Sequence, residues 1–275
     1  MKKGVATLFL IVFSMLFCGN CPAGETLMMA TTTSTDNTGL LDYLAPEFTR
    51  DTGIALKWVA VGTGKALKLG QNCDVDILLV HAPAAEKKFV ADGYGTSRRQ
   101  VMYNDFVIIG PVRDPAGIRG LGAGEALKRI ARAKATFVSR GDNSGTYKKE
   151  IRLWRLSGRA LPEKETWYME TGQGMLATIH IAAERGGYTL ADRGTYIKYE
   201  ATLKDKSPFA ILVQGAPELF NQYGVIVISK KHCPEVRDDL AWRFSDWIVS
   251  ARAQKLIAGF RLMGKALFTP NADTR

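Results

Sequence analysis

The chain has 275 residues, 46% of them hydrophobic, with 37 Lys and Arg against 27 Asp and Glu and a formal net charge of +10. That length suits one large or two modest α/β domains with real cores, and the positive charge favours anionic partners. The basic residues are scattered and form no run interleaved with aromatics, which excludes a surface that tracks a nucleic-acid backbone.

Met1-Lys2-Lys3, the apolar stretch Val5 to Phe17 and the small-residue end Cys21-Pro22-Ala23 read as a cleaved export signal over residues 1–23, too short to span a membrane. Cys18 and Cys21 leave a lipoprotein anchor as the alternative, against which Phe17 and Asn20 stand as poor neighbours for lipid attachment. No later segment has an apolar run of spanning length, so the mature chain is expected to be a soluble exported protein.

The first strand expected is Leu27 to Ala30. It leads into Thr31-Thr32-Thr33-Ser34-Thr35-Asp36-Asn37-Thr38-Gly39 and then Leu40, Leu41, Leu44 and Phe48, whose spacing predicts one apolar face of a helix. Ile54 to Val61 repeats the pattern, with Gly62-Thr63-Gly64 before a helical Lys65 to Leu69. This second turn superficially resembles a nucleotide-binding loop, but Val59 and Ala66 occupy positions where that motif needs Gly and Ser or Thr. Asp74 and Asp76 precede the apolar run Ile77 to Val80; a metal site is one reading of the pair, but acids at a strand start are usually solvated or cap neighbouring turns, which is the role expected.

Tyr103 to Pro111, containing the strand Phe106 to Ile109, reads as a crossing into a second lobe. A glycine- and charge-rich connection, Asp114 to Gly124, and a helix, Glu125 to Arg132, follow. Ala135 to Val138 then opens the third and most informative turn, Ser139-Arg140-Gly141-Asp142-Asn143-Ser144-Gly145-Thr146, before a helix from Tyr147 to Leu156. The first N–H groups of a helix have no internal partners, and the macrodipole puts partial positive charge where they point. Ser144 and Thr146 add hydroxyls there, Gly145 lets a ligand approach the backbone, and Arg140 adds a planar charged fork that Asp142 can hold. Tyr168 to Met175 is a fourth strand-to-helix turn, whose N–H groups at Gly174 and Met175 can join the same cradle. The return strand is Val225 to Ile228, and two terminal helices, Pro234 to Ser250 and Ala253 to Phe260, close the chain.

Alternating strands and helices predict parallel sheets covered on both faces, and turns of this kind gather at the carboxyl ends of the strands, where ligands bind. Enzyme chemistry is thinly represented. His81, His180 and His232 match no metal-ligand spacing and are read as surface or core residues, so no cation ligands are expected. No serine sits in a Gly-x-Ser-x-Gly elbow. Cys73 and Cys233 remain after signal removal, either as a pair or as two free thiols.

In their order along the chain, Thr31-Thr32-Thr33-Ser34, Val61-Gly62-Thr63-Gly64, Asp74 to His81 and Ser139 to Thr146 resemble the signatures of type II periplasmic solute-binding proteins, and most closely the tungstate-binding family of ABC importers. The resemblance runs from about Thr26 to Thr269. It implies an α/β fold of two lobes, each a mainly parallel sheet flanked by helices, with two crossing strands as hinge: residues 24–108 plus 224–275 as lobe I and 109–223 as lobe II. It implies an oxyanion ligand, tungstate or molybdate, bound by Thr33, Ser34 and Thr63 from the first lobe and Arg140, Ser144, Gly145 and Thr146 from the second. Thr32, Gly64, Asp142, Gly174 and Met175 are secondary positions. The same resemblance implies no cofactor, no enzymatic activity, a monomer, and delivery to an ABC permease in the inner membrane. The Arg-x-Asp-x-Ser-Gly-Thr pattern is also similar to that of phosphate-binding proteins, so a phosphate or sulfate receptor is the alternative. A secreted hydrolase using Ser144 is a third reading. Tungstate and molybdate are fully deprotonated near neutral pH and need donors only, whereas phosphate keeps a proton and rewards an acceptor; Asp142 engaged by Arg140 favours the larger dianions.

Overall fold

The structure, a computed structural model, describes residues 24–142, 144–203 and 207–272. The expected export signal, with Cys18 and Cys21, lies outside the described residues, as does Asn143. No helix among the described residues is long and apolar enough to cross a membrane.

Strand β1 (Thr26–Thr32), the one-turn helix α1 (Thr33–Asp36), α2 (Leu40–Thr52), β2 (Ala55–Val61), α3 (Thr63–Gln71), β3 (Ile77–Val80) and α4 (Pro83–Ala91) form the first group of elements. β1 lies between β2 and β3, parallel to both. Leu40, Leu41, Leu44 and Phe48 of α2 are all buried, as their spacing predicts. The long strand β4 (Gly95–Pro111) then leaves for a second group: α5 (Ala123–Ala133), β5 (Phe137–Ser139), α6 (Gly145–Leu156), β6 (Tyr168–Glu170), α7 (Met175–Arg185), β7 (Thr189–Asp192), α8 (Arg193–Thr202) and β8 (Phe209–Val213). After a 3-10 turn at Pro217–Leu219 the chain returns along β9 (Phe220–Ile228) to α9 (Asp238–Val249), α10 (Ala251–Gly259) and the short strands β10 (Arg261–Leu262), β11 (Lys265–Ala266) and β12 (Thr269–Pro270).

β4 belongs to both sheets. Its first part pairs with β9, from Gly95↔Ile228 to Asp105↔Phe220, and its last part with β7 and β8, from Phe106↔Asp192 onward. Both faces of the central strands are covered, so β3 and the later part of β4 are continuously apolar and their alternate residues enter different cores. Ile77 and Leu79 join Phe48, Phe244 and Ile248 on one face of the first sheet, while Leu78 and Val80 join Phe89, Ile226 and Ile228 on the other. Phe106 and Ile108 likewise join Trp154, Phe137 and Tyr188, while Val107 and Ile109 join Ile179 and Tyr196.

The sheets are mixed where mainly parallel ones were expected. β2–β1–β3 and β5–β6 are parallel, but β9 is antiparallel to β3 and β4, and β7 and β8 are antiparallel to β4. A chain that goes out along one strand and comes back along its neighbour must pair antiparallel in whatever sheet both enter. The crossing strand also begins at Gly95 rather than Tyr103, since Ser97-Arg98-Arg99-Gln100 has strand pairing without an apolar pattern. Helix α9 starts at Asp238 rather than Pro234. The reason is Asp76, whose Oδ1 accepts the Arg237 N–H at 2.9 Å while Oδ2 accepts that of Met28 at 2.9 Å, clipping the approach to α9 onto β1. The expected solvated or capping role of Asp76 is thus a buried long-range one.

Cys73 and Cys233 form a disulfide, with Cα atoms 5.5 Å apart and a sequence separation of 160. It ties the end of α3 to the segment after β9. The lone His/Cys group close enough to hold a metal among the described residues, Cys73, His232 and Cys233, is this disulfide with a histidine beside it. Closing so long a loop restricts the unfolded chain, so the Cys73→Ser, Cys233→Ser double variant should lose about 2–4 kcal/mol of stability. Urea unfolding monitored by circular dichroism reads this as a lower midpoint, and coincident midpoints for variant and parent would contradict it.

Candidate functional site

Strand directions bring the expected turns to one place. β3 runs antiparallel to β9, whose first residue lies at the joint between the sheets, so the carboxyl ends of β3 and of its parallel neighbours β1 and β2 point at that joint. In the second group Asp192 ends β7 opposite Phe106, and β5 runs parallel to the same segment through the Phe137↔Tyr188 bridge, so Ser139 ends at the joint as well. All four turns therefore open onto the cleft between the lobes.

On the first side, Thr32 caps α1, its Oγ1 accepting the Thr35 N–H at 3.2 Å. Thr33 and Ser34 follow it, exposed at the cleft. Thr32 pairs with Val61, which sets Gly62-Thr63-Gly64 alongside. Gly62 caps α3, and the first bond closing that helix runs from Ala66 N to Gly62 O, so the N–H groups of Thr63, Gly64 and Lys65 have no partner within it.

On the second side, Ser144 caps α6, its Oγ accepting the Tyr147 N–H at 3.2 Å. Asp142 accepts the Ser144 N–H at 3.2 Å through Oδ1 and Arg140 Nη2 through Oδ2, so both carboxylate oxygens are engaged. Burial opposes the charge on Asp142, but the hydrogen bonds from Ser144 and Arg140 outweigh it and hold the carboxyl below the usual range. Arg140 Nε is buried and has no partner among the described residues. Gly141 adopts φ +60°, and a Cβ there would stand 2.7 Å from Glu170 Cβ, so only glycine fits this bend. The β6–α7 turn supports the loop from the side: Thr171 N donates to Ser139 O at 3.0 Å and Gly172 N to Arg140 O at 2.8 Å. Gly145 and Gly174 are exposed at the starts of α6 and α7, Thr146 is buried behind Gly145, and the Met175 side chain turns into the second lobe's core.

Beneath the loop lies Glu150, which is 2% exposed. It accepts hydrogen bonds from Ser139 Oγ at 2.7 Å, Tyr168 OH at 2.8 Å and Trp154 Nε1 at 3.3 Å. Burial pushes its carboxyl up to about 7 in spite of these donors.

Sequence reasoning missed His81. It stands just after β3, part-buried in the cleft floor, with Nε2 at 3.0 Å from both Thr32 Oγ1 and Ser34 Oγ and Nδ1 at 3.1 Å from Asn221 Oδ1. Asn221 and Asn104 face each other across the two crossing strands, joined by Asn221 Nδ2 to Asn104 Oδ1 at 2.9 Å. A polar residue ending a wholly apolar strand was the available signal. His180 and His232, by contrast, are exposed surface residues.

Two α/β lobes on shared strands, with helix starts from both meeting at the joint, define a bilobal binding protein. A profile of the PBP superfamily domain matches residues 21–252. The tungstate-binding protein TupA of Campylobacter jejuni is 50% identical over 242 residues, spanning 88% of this chain and 90% of that protein. Among solved structures, the tungstate-binding protein TupA of Desulfovibrio alaskensis G20 matches with a TM-score of 0.90 at 65% identity, covering 90% of this chain and 100% of that one. The structure of the tungstate ABC transporter from Geobacter sulfurreducens matches with a TM-score of 0.74 at 48% identity, covering 86% of this chain and 99% of that one. The chain belongs to the PBP superfamily and, within it, to the family of the TupA proteins.

Glu150 gives the site a pH signature. An unfolded Glu ionises near 4.5 and the folded Glu150 near 7, so the folded state holds the extra proton and stability falls as pH rises between these values. Relative to Glu150→Gln, the parent should lose on the order of 3 kcal/mol over that window and no more above it. Urea midpoints of both chains from acid to neutral pH measure the difference; parallel curves would contradict a buried, neutral-when-folded Glu150.

Proposed function

We propose that this chain is a periplasmic receptor that captures tungstate, and with it molybdate, and presents the ion to an ABC permease in the inner membrane. The observation that carries the proposal is Arg140, whose buried Nε lacks a partner among the described residues while Asp142 holds Nη2. A buried donor on a permanent cation is costly unless something accepts from it, and an oxyanion in the cleft does so. The relatives named as tungstate-binding proteins support the choice of ion, and the similarity to the tungstate ABC transporter structure from Geobacter sulfurreducens supports the importer.

In this reading Ser34 and Thr63, with Thr33 beside them, donate from the first lobe. Arg140, Ser144, Gly145 and Thr146 donate from the second, flanked by Thr32, Gly64, Gly174 and Met175. Asp142 orients the arginine. One oxygen is held by Arg140 and the other by the Ser144 N–H, so the carboxylate is turned to the loop rather than left free to accept the proton of phosphate, which favours fully deprotonated dianions. The protein is a binding protein without catalytic activity and works as a monomer after removal of residues 1–23. The moving parts are residues 24–108 with 224–275 against 109–223, hinged where β4 and β9 pass from one sheet to the other.

Calorimetric titration with tungstate, molybdate, sulfate and phosphate should show tight tungstate binding; phosphate binding with no response to tungstate would overturn the proposal. Arg140→Lys should weaken tungstate binding tenfold or more, nearly as much as Arg140→Ala, on the order of 1.5–3 kcal/mol, because a point charge replaces a fork that Asp142 holds in plane. Parental affinity in the lysine variant would show that charge alone matters there. Ser34→Ala and Ser144→Ala should couple in a double-mutant cycle, since both act through one closed state. Strict additivity would mean that the ion rests on one lobe.

A further inference from the structure

The first-lobe hydroxyls are not independent donors. Thr32 Oγ1 and Ser34 Oγ lie 3.0 Å apart, and His81 Nε2 is within 3.0 Å of both. On the far side of the ring the tautomer is fixed. Asn221 uses its Nδ2 to donate to Asn104 Oδ1, so it presents Oδ1 to the imidazole, and His81 Nδ1 carries a proton in either charge state. Nε2 is therefore the variable position. In the neutral ring it is a lone pair that takes the hydroxyl proton of Ser34 or Thr32 as a hydrogen bond, turning that hydroxyl away from the cleft. In the imidazolium it is a donor, and the hydroxyl it donates to is released to point elsewhere.

We propose that His81 is a proton-linked positioning residue of the anion site: oxyanion capture draws one proton from solvent onto Nε2, which redirects the Ser34 hydroxyl to the anion and places a positive charge behind it. The proposal rests on the oxyanion reading above. The only bond formed is N–H at Nε2, and the proton comes from water or buffer.

The surroundings set the direction of the effect. Burial pushes the imidazole below its usual range, against the hydrogen bond to Asn221 and the Asp192 carboxylate at the head of α8, so the empty site holds a neutral ring near pH 7. Tyr223 of β9 packs on the ring at 4.8 Å between centroids, and Asn104 and Asn221 on the crossing strands are uncharged. The Glu86 carboxylate, which accepts from the next N–H at Ala82, is paired with Arg98. A dianion at Ser34 reverses the balance, because an opposite charge nearby favours the charged form. Proton uptake and anion affinity are then linked, and the site should bind more tightly by up to about tenfold for each unit of acidification through neutrality.

The test is calorimetric titration of the full chain with sodium tungstate at pH 7, in two buffers of different ionisation enthalpy, which counts the protons taken up. Tungstate itself takes none at this pH. The parent should take up close to one proton per ion. His81→Gln, whose amide nitrogen can occupy the place of Nε2 as a permanent donor, should take up almost none, and its affinity should no longer rise between pH 8 and pH 6. Thermal melting confirms that it is folded. Glu150 also titrates near neutrality but sits behind Ser139, so Glu150→Gln should retain the uptake. Tungstate binding without proton uptake in the parent overturns the inference and leaves the receptor reading standing. Uptake that survives in His81→Gln and vanishes in Glu150→Gln overturns it in favour of Glu150. No tungstate binding at all overturns both.

Discussion

A part-buried guanidinium whose buried Nε has no acceptor among the described residues is a demand on the whole second lobe. The positive charge of Arg140 is permanent, and its Nε lies out of reach of solvent, so the surrounding structure has to keep it in place until a ligand answers it. Asp142 holds one end of the fork and, through the Ser144 N–H, ties it to the start of α6. Gly141 makes the bend that lets the loop pass Glu170, and the N–H groups of Thr171 and Gly172 hold the carbonyls of Ser139 and Arg140. Glu150, Tyr168 and Trp154 support Ser139 from beneath. The loop is thus held in place by its own hydrogen bonds, and a ligand at the proposed site would meet a low ordering cost.

The cost of drying a dianion explains why a second lobe is needed. Idealised transfer of one ion into a dry interior costs on the order of 20 kcal/mol, so a closed site must return that through many aligned donors on all sides. One helix start covers only one side. The fold meets the requirement by running β4 and β9 through both sheets, so that the carboxyl ends of β1, β2 and β3 confront those of β5 and β7 across one joint. The same two strands carry Asn104 and Asn221, and through Asn221 they reach His81 and the Thr32–Ser34 turn. The crossing strands and the first-lobe hydroxyls are in this way joined by one run of hydrogen bonds.

Local chemistry was legible in the sequence. Thr32-Thr33-Ser34, Gly62-Thr63-Gly64 and Arg140 to Thr146 each announce a strand end and a helix start through hydroxyls and glycines in short order, and the structure brings them to one cleft. Long-range chemistry was not. His81 meets Asn221 from 140 residues away, and Asp76 meets Arg237 from 161 away, so nothing beside either residue signals its partner. The first part of β4 carries a polar pattern because its place is fixed by pairing to β9 rather than by its own burial. The mixed sheets and the Cys73–Cys233 disulfide likewise follow from how the chain returns from the second lobe, which no local window contains.

Tungsten scatters anomalously, and a crystal of the chain grown with tungstate and measured at the tungsten absorption edge would locate the ion without reference to any assumed site. A single strong peak is expected in the cleft, within hydrogen-bonding distance of its oxygens from Arg140 Nε on one side and from Ser34 and Thr63 on the other. A peak elsewhere on the surface, or one that touches a single lobe and leaves Arg140 Nε without a partner, would contradict the claim that the unpaired guanidinium and the two facing lobes exist to enclose an oxyanion.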